Sequence, residues 1–366
     1  MKIAIITQPL RHNYGGIMQN YALQQVLIGM GHDVETLEVL PGAASWGGKL
    51  KAFFKIVFFS LVDDKGRFLH LFSGLSSEQM LGKNTRAFIR RNIDLNQKLN
   101  IPKESEYDTY IVGSDQVWRP MYSDLNMAFL DFAKEWKEKK RIAYAASFGT
   151  DEWEYTEELT EKCTKLAAQF DAVSVREQSG VRLCEDYLRV SAKHVLDPTL
   201  LHDREFYETS LRLNDIPSKR RGVFFYFLDN NEKKKQLVNR VANEMHCDSF
   251  TVNSRVEDAS APIAERVQPP IEEWLCGFRD AEFVVTDSFH GSVFSMIFNK
   301  PFIVVGNGKR GMSRFDSLLS ITNQKYRLVD VEKNKDITLK EYLSEPNIDI
   351  KEMRERSRSF LKNNLC

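Results

Sequence analysis

The sequence has no stretch near the ~20 consecutive apolar residues that a membrane-spanning helix requires. A soluble protein is expected, one that at most touches a membrane surface. It has no excess of either charge, since Lys plus Arg and Asp plus Glu number 51 each. That balance argues against nucleic acid as the main partner, because neutralising phosphates takes a basic excess or stripe. Cysteine is scarce: Cys163, Cys184, Cys247, Cys276 and Cys366 are scattered, odd in number and free of CxxC spacing. A structural zinc site is disfavoured, and free thiols in a reducing cytoplasm are the economical reading. The chain also lacks a GxGxxG fingerprint, internal repeats and low-complexity tracts. Its opening, "MKIAIITQPL", is too short an apolar run for a signal peptide and reads as a strand.

What is there is an α/β chain of 366 residues, 42% hydrophobic and 28% charged. Single cores stop growing near about 250–300 residues, so two domains are expected. "KIAIIT" reads as a buried strand, "MQNYALQQVLIGMG" as a helix closed by Gly31, and "HDVETLEVL" as the next strand. A β-loop-α-β unit of this size implies a parallel sheet. Strands continue at "YDTYIVGS", "RIAYAAS", "FDAVSVR" and "KHVLDP", with a helix at "TEELTEKCTKLAAQF". A second series starts at "GVFFYFL" and continues through "NEKKKQLVNRVANEM", "DSFTVN", "AEFVVTDS", "SVFSMIFN" and "PFIVVG". The boundary is placed near residues 202–221. The expected fold is two Rossmann-like parallel-sheet domains facing a cleft, a GT-B-like arrangement. The N-terminal domain covers 1–205, the C-terminal domain 206–335 and a helical tail 336–366.

The segment 47–75 breaks this rhythm. Leu50, Phe53, Phe54, Val57, Phe58 and Leu61 fall on one helical face, with Lys49, Lys51 and Lys55 among them. This pattern suits an interfacial helix on an anionic membrane. It equally suits an insertion packed on its own domain, or a lid.

Four stretches could carry chemistry. In "RHNYGGIMQNYAL", Gly15 and Gly16 allow close backbone approach at a strand-to-helix turn. Arg11, Asn13, Tyr14 and Gln19 surround them, and the plain alternative is a tight turn that needs glycine. In "YIVGSDQVWRP", Asp115 could orient a sugar hydroxyl or take its proton, while Gln116 and Trp118 could contact the ring. The alternatives are a helix N-cap for Asp115 and a core position for Trp118. In "DAVSVREQSG", Arg176 at a strand end suits a bidentate carboxylate or phosphate clamp, or else a salt bridge with Glu177. In "TDSFHGSVF", His290 follows a buried strand, with Asp287, Ser288 and Phe289 before it. A histidine there can move protons near neutral pH, whereas a core histidine would bond a carbonyl. After the next strand, "GNGKRGMSRF" carries Lys309, Arg310, Ser313 and Arg314 in and beyond a glycine-rich loop, an anion-binding pattern.

At these residues the chain resembles the polysaccharide pyruvyl transferase family. The likeness runs over roughly residues 1–330 as an ordered set: "NYGGIMQNYALQ", "YIVGSDQVW", "YAASFG", "SVREQSG", "LDPTLL", "TDSFHGSVFSMIFNKPF" and "GMSRFDSLL". The resemblance implies a GT-B-like fold, phosphoenolpyruvate as donor, and a carbohydrate acceptor that gains a pyruvate ketal. It implies donor contacts from Arg176 and from Ser288 to His290. Many members carry arginine where this chain has Ser288, and Arg310 or Arg314 could replace that charge.

The expected roles follow. His290 is the proton-transfer group, with Asp115 or Asp287 as base. Arg176, Ser288, Phe289, Lys309, Arg310, Ser313 and Arg314 hold the donor. Arg11, Asn13, Tyr14, Gly15, Gly16, Gln19, Gln116 and Trp118 face the acceptor. No cofactor or metal is expected. A lipid-linked oligosaccharide of capsule or exopolysaccharide synthesis, at the inner face of the cell membrane, would suit the 47–75 segment. Two rivals stand: a glycosyltransferase of the same fold using a nucleotide sugar, and an inactive sugar-binding assembly partner.

Overall fold

A computed structural model describes residues 1–39, 80–98, 100–255, 258, 260–306, 311–332 and 338–365. The 47–75 segment, Lys309 and Arg310 lie outside the described residues.

The first sheet has seven strands, in the order β3-β2-β1-β4-β5-β6-β7. These are β1 Lys2–Ile6, β2 Asp33–Val39, β3 Leu95–Lys98, β4 Thr109–Val112, β5 Lys140–Ala146, β6 Ala172–Val175 and β7 Lys193–His194. The helices used below are α1 Tyr14–Gly29, α2 Lys83–Asn92, α3 Glu157–Ala167 and α4 Gln178–Leu183. Every pairing is parallel, with Ile3 opposite Val34 on one side and Thr109 on the other. Alternation along β1 shows why. Ile3 and Ile5 join one core with α1, while Ala4 and Ile6 join a separate core on the other face. A strand buried on both faces reads as an unbroken apolar run.

The second sheet has five strands, in the order β12-β11-β10-β8-β9. They are β8 Gly222–Tyr226, β9 Ser249–Phe250, β10 Ala281–Thr286, β11 Phe302–Val305 and β12 Leu328–Val329. Helices α5 Glu232–Glu244, α6 Ile271–Asp280, α7 Phe289–Ile297 and α8 Ser313–Ile321 flank them, and α9 Lys351–Leu365 ends the described chain. Shorter helices connect these elements. This sheet is parallel throughout as well.

One apolar cluster spans both halves, because it includes Ile17 of α1, Trp274 of α6 and Phe294 of α7. Tyr14 packs 5.4 Å from Trp274, and its hydroxyl donates to the Pro269 carbonyl at 2.6 Å. The tail helix returns to the first half. Ser357 accepts from the Leu196 N–H, and Arg354 donates to the Leu200 carbonyl. It therefore clasps the segment 196–201 after β7.

The topology places the site. Strand order reverses between β1 and β4 in the first sheet, and between β8 and β10 in the second. Open parallel sheets bind ligands beyond the carboxyl ends of such switch points. Beyond the carboxyl ends of these strands lie Gly15 and His290, in the first turns of α1 and α7, and Asp115 and Leu228 in loops.

A buried histidine outside that cleft sets one acid-sensitive contact. His202 stacks on Phe206 at 3.7 Å, and its Nε2 pairs with the Ala22 carbonyl at 3.0 Å. Burial pushes its imidazole down to about 4 from the ordinary 6.5. A group depressed in the fold contributes stability above its unfolded value and loses it as pH falls through the folded one. Folding free energy should therefore decline from pH 6.5 toward pH 4. His202→Phe should flatten that part of the curve, as measured by denaturant unfolding across the pH series. An unchanged slope would clear His202 of the effect.

Candidate active site

The centre is a buried ion network assembled from four loops. Arg176, just past β6, donates from Nη1 to Asp197 Oδ2 at 2.7 Å and to Ser114 Oγ at 3.1 Å. Its Nη2 reaches Asp115 Oδ1 at 3.4 Å. Ser114 donates to the same Asp197 oxygen at 3.0 Å. Thr199 donates to the other oxygen from its hydroxyl at 2.6 Å and its N–H at 3.1 Å. From the second half, His290 Nε2 stands 3.6 Å from Asp197 Oδ2, an ion-pair distance beyond hydrogen-bond range. Arg176, Asp197 and His290 are all buried.

Burial alone would raise the Asp197 carboxyl. The His290 imidazole, the Arg176 guanidinium and the Thr199 hydroxyl outweigh it and hold the group well below the usual carboxylate range. Burial likewise works against charge on Arg176, yet Asp197, Asp115 and Glu177 together raise its pKa. Glu177 is raised, chiefly by burial. Its Oε1 accepts the N–H groups of Phe148 and Gly149 at 2.8 and 3.2 Å, so it holds the loop after β5.

A second cation lies alongside. Arg314 is buried in the first turn of α8, and its guanidinium is pushed down to about 10, first by burial and then by Arg176. The Phe289 ring contacts both, with the Arg176 guanidinium carbon 4.8 Å and that of Arg314 5.6 Å from its centroid. Cation–π attraction on one ring lets two like charges sit close together.

Backbone shape marks the same place. Asp115 has φ 86°, the left-handed region. For a residue other than glycine this costs on the order of 1–3 kcal/mol and is retained where a site needs it. It turns the Asp115 carboxylate toward Arg176, and a Cβ on Gly16 would lie 3.1 Å from Asp115 Oδ2. Gly15 is more tightly constrained, since a Cβ there would lie 2.0 Å from His290 Nδ1. Only a residue without a side chain lets α1 approach the imidazole. Gly15→Ala improves intrinsic helix propensity by ~1 kcal/mol. It should nevertheless displace His290 and abolish turnover with little change in melting temperature. Wild-type turnover in Gly15→Ala would mean that the ring position is not needed.

Several expected site residues serve other purposes. Asp287 lies 1% exposed and takes the Leu228 and Asp229 N–H groups at 2.6 and 3.1 Å and Lys234 Nζ at 2.6 Å. Its carboxylate ties α5 and the loop after β8 to the start of α7, which corrects its expected place beside the histidine. Ser288 caps α7, accepting from Gly291 N–H at 3.2 Å. Trp118 corrects another expectation. It is fully buried, stacked 5.0 Å from Phe129 and bonded to the Ala128 carbonyl, so it presents no face to a ligand. Gln19 is buried, donating to the Gly16 carbonyl and Thr7 hydroxyl. Gln116 and Ser313 are buried too, while Arg11 and Asn13 are exposed. Asp197 and Thr199 were not singled out from sequence, and Glu177 entered only as a salt-bridge partner for Arg176. Asp197 sits in the "LDPTLL" motif, whose Asp-Pro was the available signal.

A model of the polysaccharide pyruvyl transferase family matches residues 13–309. A search of curated proteins gave no significant match. Among solved structures, UDP-GlcNAc 2-epimerase from Neisseria meningitidis bound to UDP-GlcNAc is similar with a TM-score of 0.53 and 9% identity, covering 100% of this chain and 99% of that one. The S. aureus MnaA–UDP structure gives a TM-score of 0.50 and 12% identity, covering 100% and 96%. These likenesses show the GT-B-like fold.

Proposed function

Since the chain belongs to the polysaccharide pyruvyl transferase family, we propose that it moves the enolpyruvyl group of phosphoenolpyruvate onto a sugar as a pyruvate ketal. The observation that carries this reading is the buried Asp197–His290 pair beside two buried arginines at the meeting of both switch points.

The chemistry needs a proton on the vinyl CH₂ of the donor, which leaves an oxocarbenium-like carbon at C2. One sugar hydroxyl bonds to C2 and gives up its proton, the C2–O bond to phosphate breaks, and a second hydroxyl closes the ketal. Of the two hydroxyl protons, one ends on the methyl group and the other leaves with phosphate. His290 is the group we assign to that transfer. Asp197 faces Nε2, and Gly15 packs against Nδ1, so both ring nitrogens are held in place. With Asp287 engaged by Lys234, Asp115 is the better candidate for base.

Arg176 is largely neutralised by Asp197 and Asp115, and we assign it the positioning of those carboxylates. Arg314, buried beside Arg176 on the Phe289 ring, is the better match for the donor's anionic groups. Lys309 and Arg310, outside the described residues, remain proposed donor contacts. A lipid-linked acceptor at the inner membrane face stays a proposal as well; among the described residues no helix is long and apolar enough to cross a membrane.

The test is phosphate release from phosphoenolpyruvate with galactose-, mannose- and glucose-containing acceptors, beside thermal shifts with phosphoenolpyruvate and UDP-sugars. Release that requires an acceptor is expected. A shift with UDP-sugars and none with phosphoenolpyruvate would replace this reading with nucleotide-sugar transfer.

A further inference from the structure

We propose that the cavity between the start of α1 and the carboxyl ends of β8 and β9 is the acceptor's sugar subsite, and that it takes an uncharged pyranose ring. The inference rests on the pyruvyl-transfer reading above and deepens it. The cavity measures about 290 Å³. That is near the lower end of the roughly 300–1,000 Å³ of small-molecule pockets.

Its chemistry selects the ligand. Tyr226 and Phe227 supply aromatic surface, and Asn13, Ser254 and Gln268 supply neutral hydrogen-bonding groups. None of the described residues that line it is Lys, Arg, Asp or Glu. A phosphate or diphosphate is most often held by Lys or Arg, and this wall offers neither; its one basic side chain is that of His12. A pyranose, with an apolar C–H face and a rim of hydroxyls, matches an aromatic surface edged by amides and a hydroxyl. Among the described residues, Ser254 Oγ and Gln268 Oε1 have no hydrogen-bond partner. An unmade bond at a buried polar group costs ~1–3 kcal/mol, which ligand hydroxyls would relieve. The Asn253 amide is not free for this. It donates to the Phe227 carbonyl at 2.7 Å and accepts from Thr251 at 2.8 Å, fixing the end of β9 against that of β8.

None of His290, Asp115, Arg176 and Arg314 lines the cavity, but the chain links it to them. Tyr14 lines it, and the next residue, Gly15, lies against His290. Leu228 lines it, and its N–H is held by Asp287 in the turn that carries the histidine. The acceptor is therefore recognised by both halves, with Asn253-buttressed residues of the second half replacing the buried Trp118 as the ring-facing surface.

The experiment is saturation-transfer NMR on the full chain with phosphoenolpyruvate present, using methyl β-galactoside, methyl α-mannoside, methyl β-glucoside and UDP as probes. At least one glycoside should receive saturation in the wild type. Ser254→Leu, which fills the cavity, should remove it, and Gln268→Ala should weaken binding about fivefold, the worth of one hydrogen bond. Equal transfer in wild type and both variants would overturn the assignment, as would no transfer to any glycoside. UDP transfer abolished by Ser254→Leu would make the cavity a nucleotide site instead. The phosphoenolpyruvate thermal shift, read on the same samples, reports separately on the donor. Its absence would sink the pyruvyl-transfer reading while the glycoside result still judged the cavity.

Discussion

Asp197→Ala should lose about 3–5 kcal/mol of folding free energy, the penalty for leaving a buried charge without its partner. Arg176 is 1% exposed at its side chain and would keep, among the described residues, Ser114, the 3.4 Å contact to Asp115 and the Phe289 ring. Only part of the loss is charge imbalance, so the double variant Arg176→Met/Asp197→Leu should recover that part, while the Ser114 hydroxyl and the Thr199 hydroxyl and N–H stay without Asp197 in both variants. Denaturant unfolding of wild type, the single variant and the double variant measures both. If the single variant unfolded like wild type, the network would be dispensable to the fold. The pH dependence has a definite sign. The Asp197 carboxyl is depressed below its ordinary 3.8 in the fold, so its contribution is full above that value and disappears as pH falls through the folded one. Asp197→Asn should therefore show a shallower acid limb below about pH 5 than wild type.

How much of this was legible beforehand depends on burial and on contact distance along the chain. The buried parallel strands were readable, because residues such as Ile3 to Ile6 must be apolar on both faces. β3, with the sequence LNQK, was not readable, since a short polar edge strand lacks that pattern. His290 and Arg176 stood out as polar groups at the ends of apolar runs. Asp197 did not, because its meaning lies in partners far along the chain: Ser114, Arg176 and His290. Trp118 misled for the opposite reason. An aromatic next to a polar strand end has the composition of a sugar platform, and only packing against Phe129 reveals a core residue. Asp287 misled by adjacency in sequence, because the turn after β10 points its carboxylate at Lys234.

His290→Ala should lower the rate of acceptor-dependent phosphate release by about 10²–10⁴-fold, the range that a positioned acid or base supplies. The fold should tolerate it better than Asp197→Ala, because Arg176 stays paired with Asp197 at 2.7 Å when the imidazole is gone. The thermal shift with phosphoenolpyruvate should persist, since the anionic groups of the donor are assigned to Arg314 and its neighbours rather than to the histidine. His290→Gln separates the two ways in which the residue could act. Glutamine can donate a hydrogen bond but cannot relay a proton at neutral pH. If His290 only orients the donor, His290→Gln should retain most of the rate and alter chiefly the Michaelis constant. If it transfers the proton, the turnover number should fall as far as in His290→Ala while the Michaelis constant stays near the wild-type value. The second outcome is the one expected from Asp197 Oδ2, which stands 3.6 Å from Nε2 and would stabilise charge gained by the imidazole. Near-wild-type turnover in both variants would remove His290 from the chemistry and leave Asp115 as the proton-transfer group to examine.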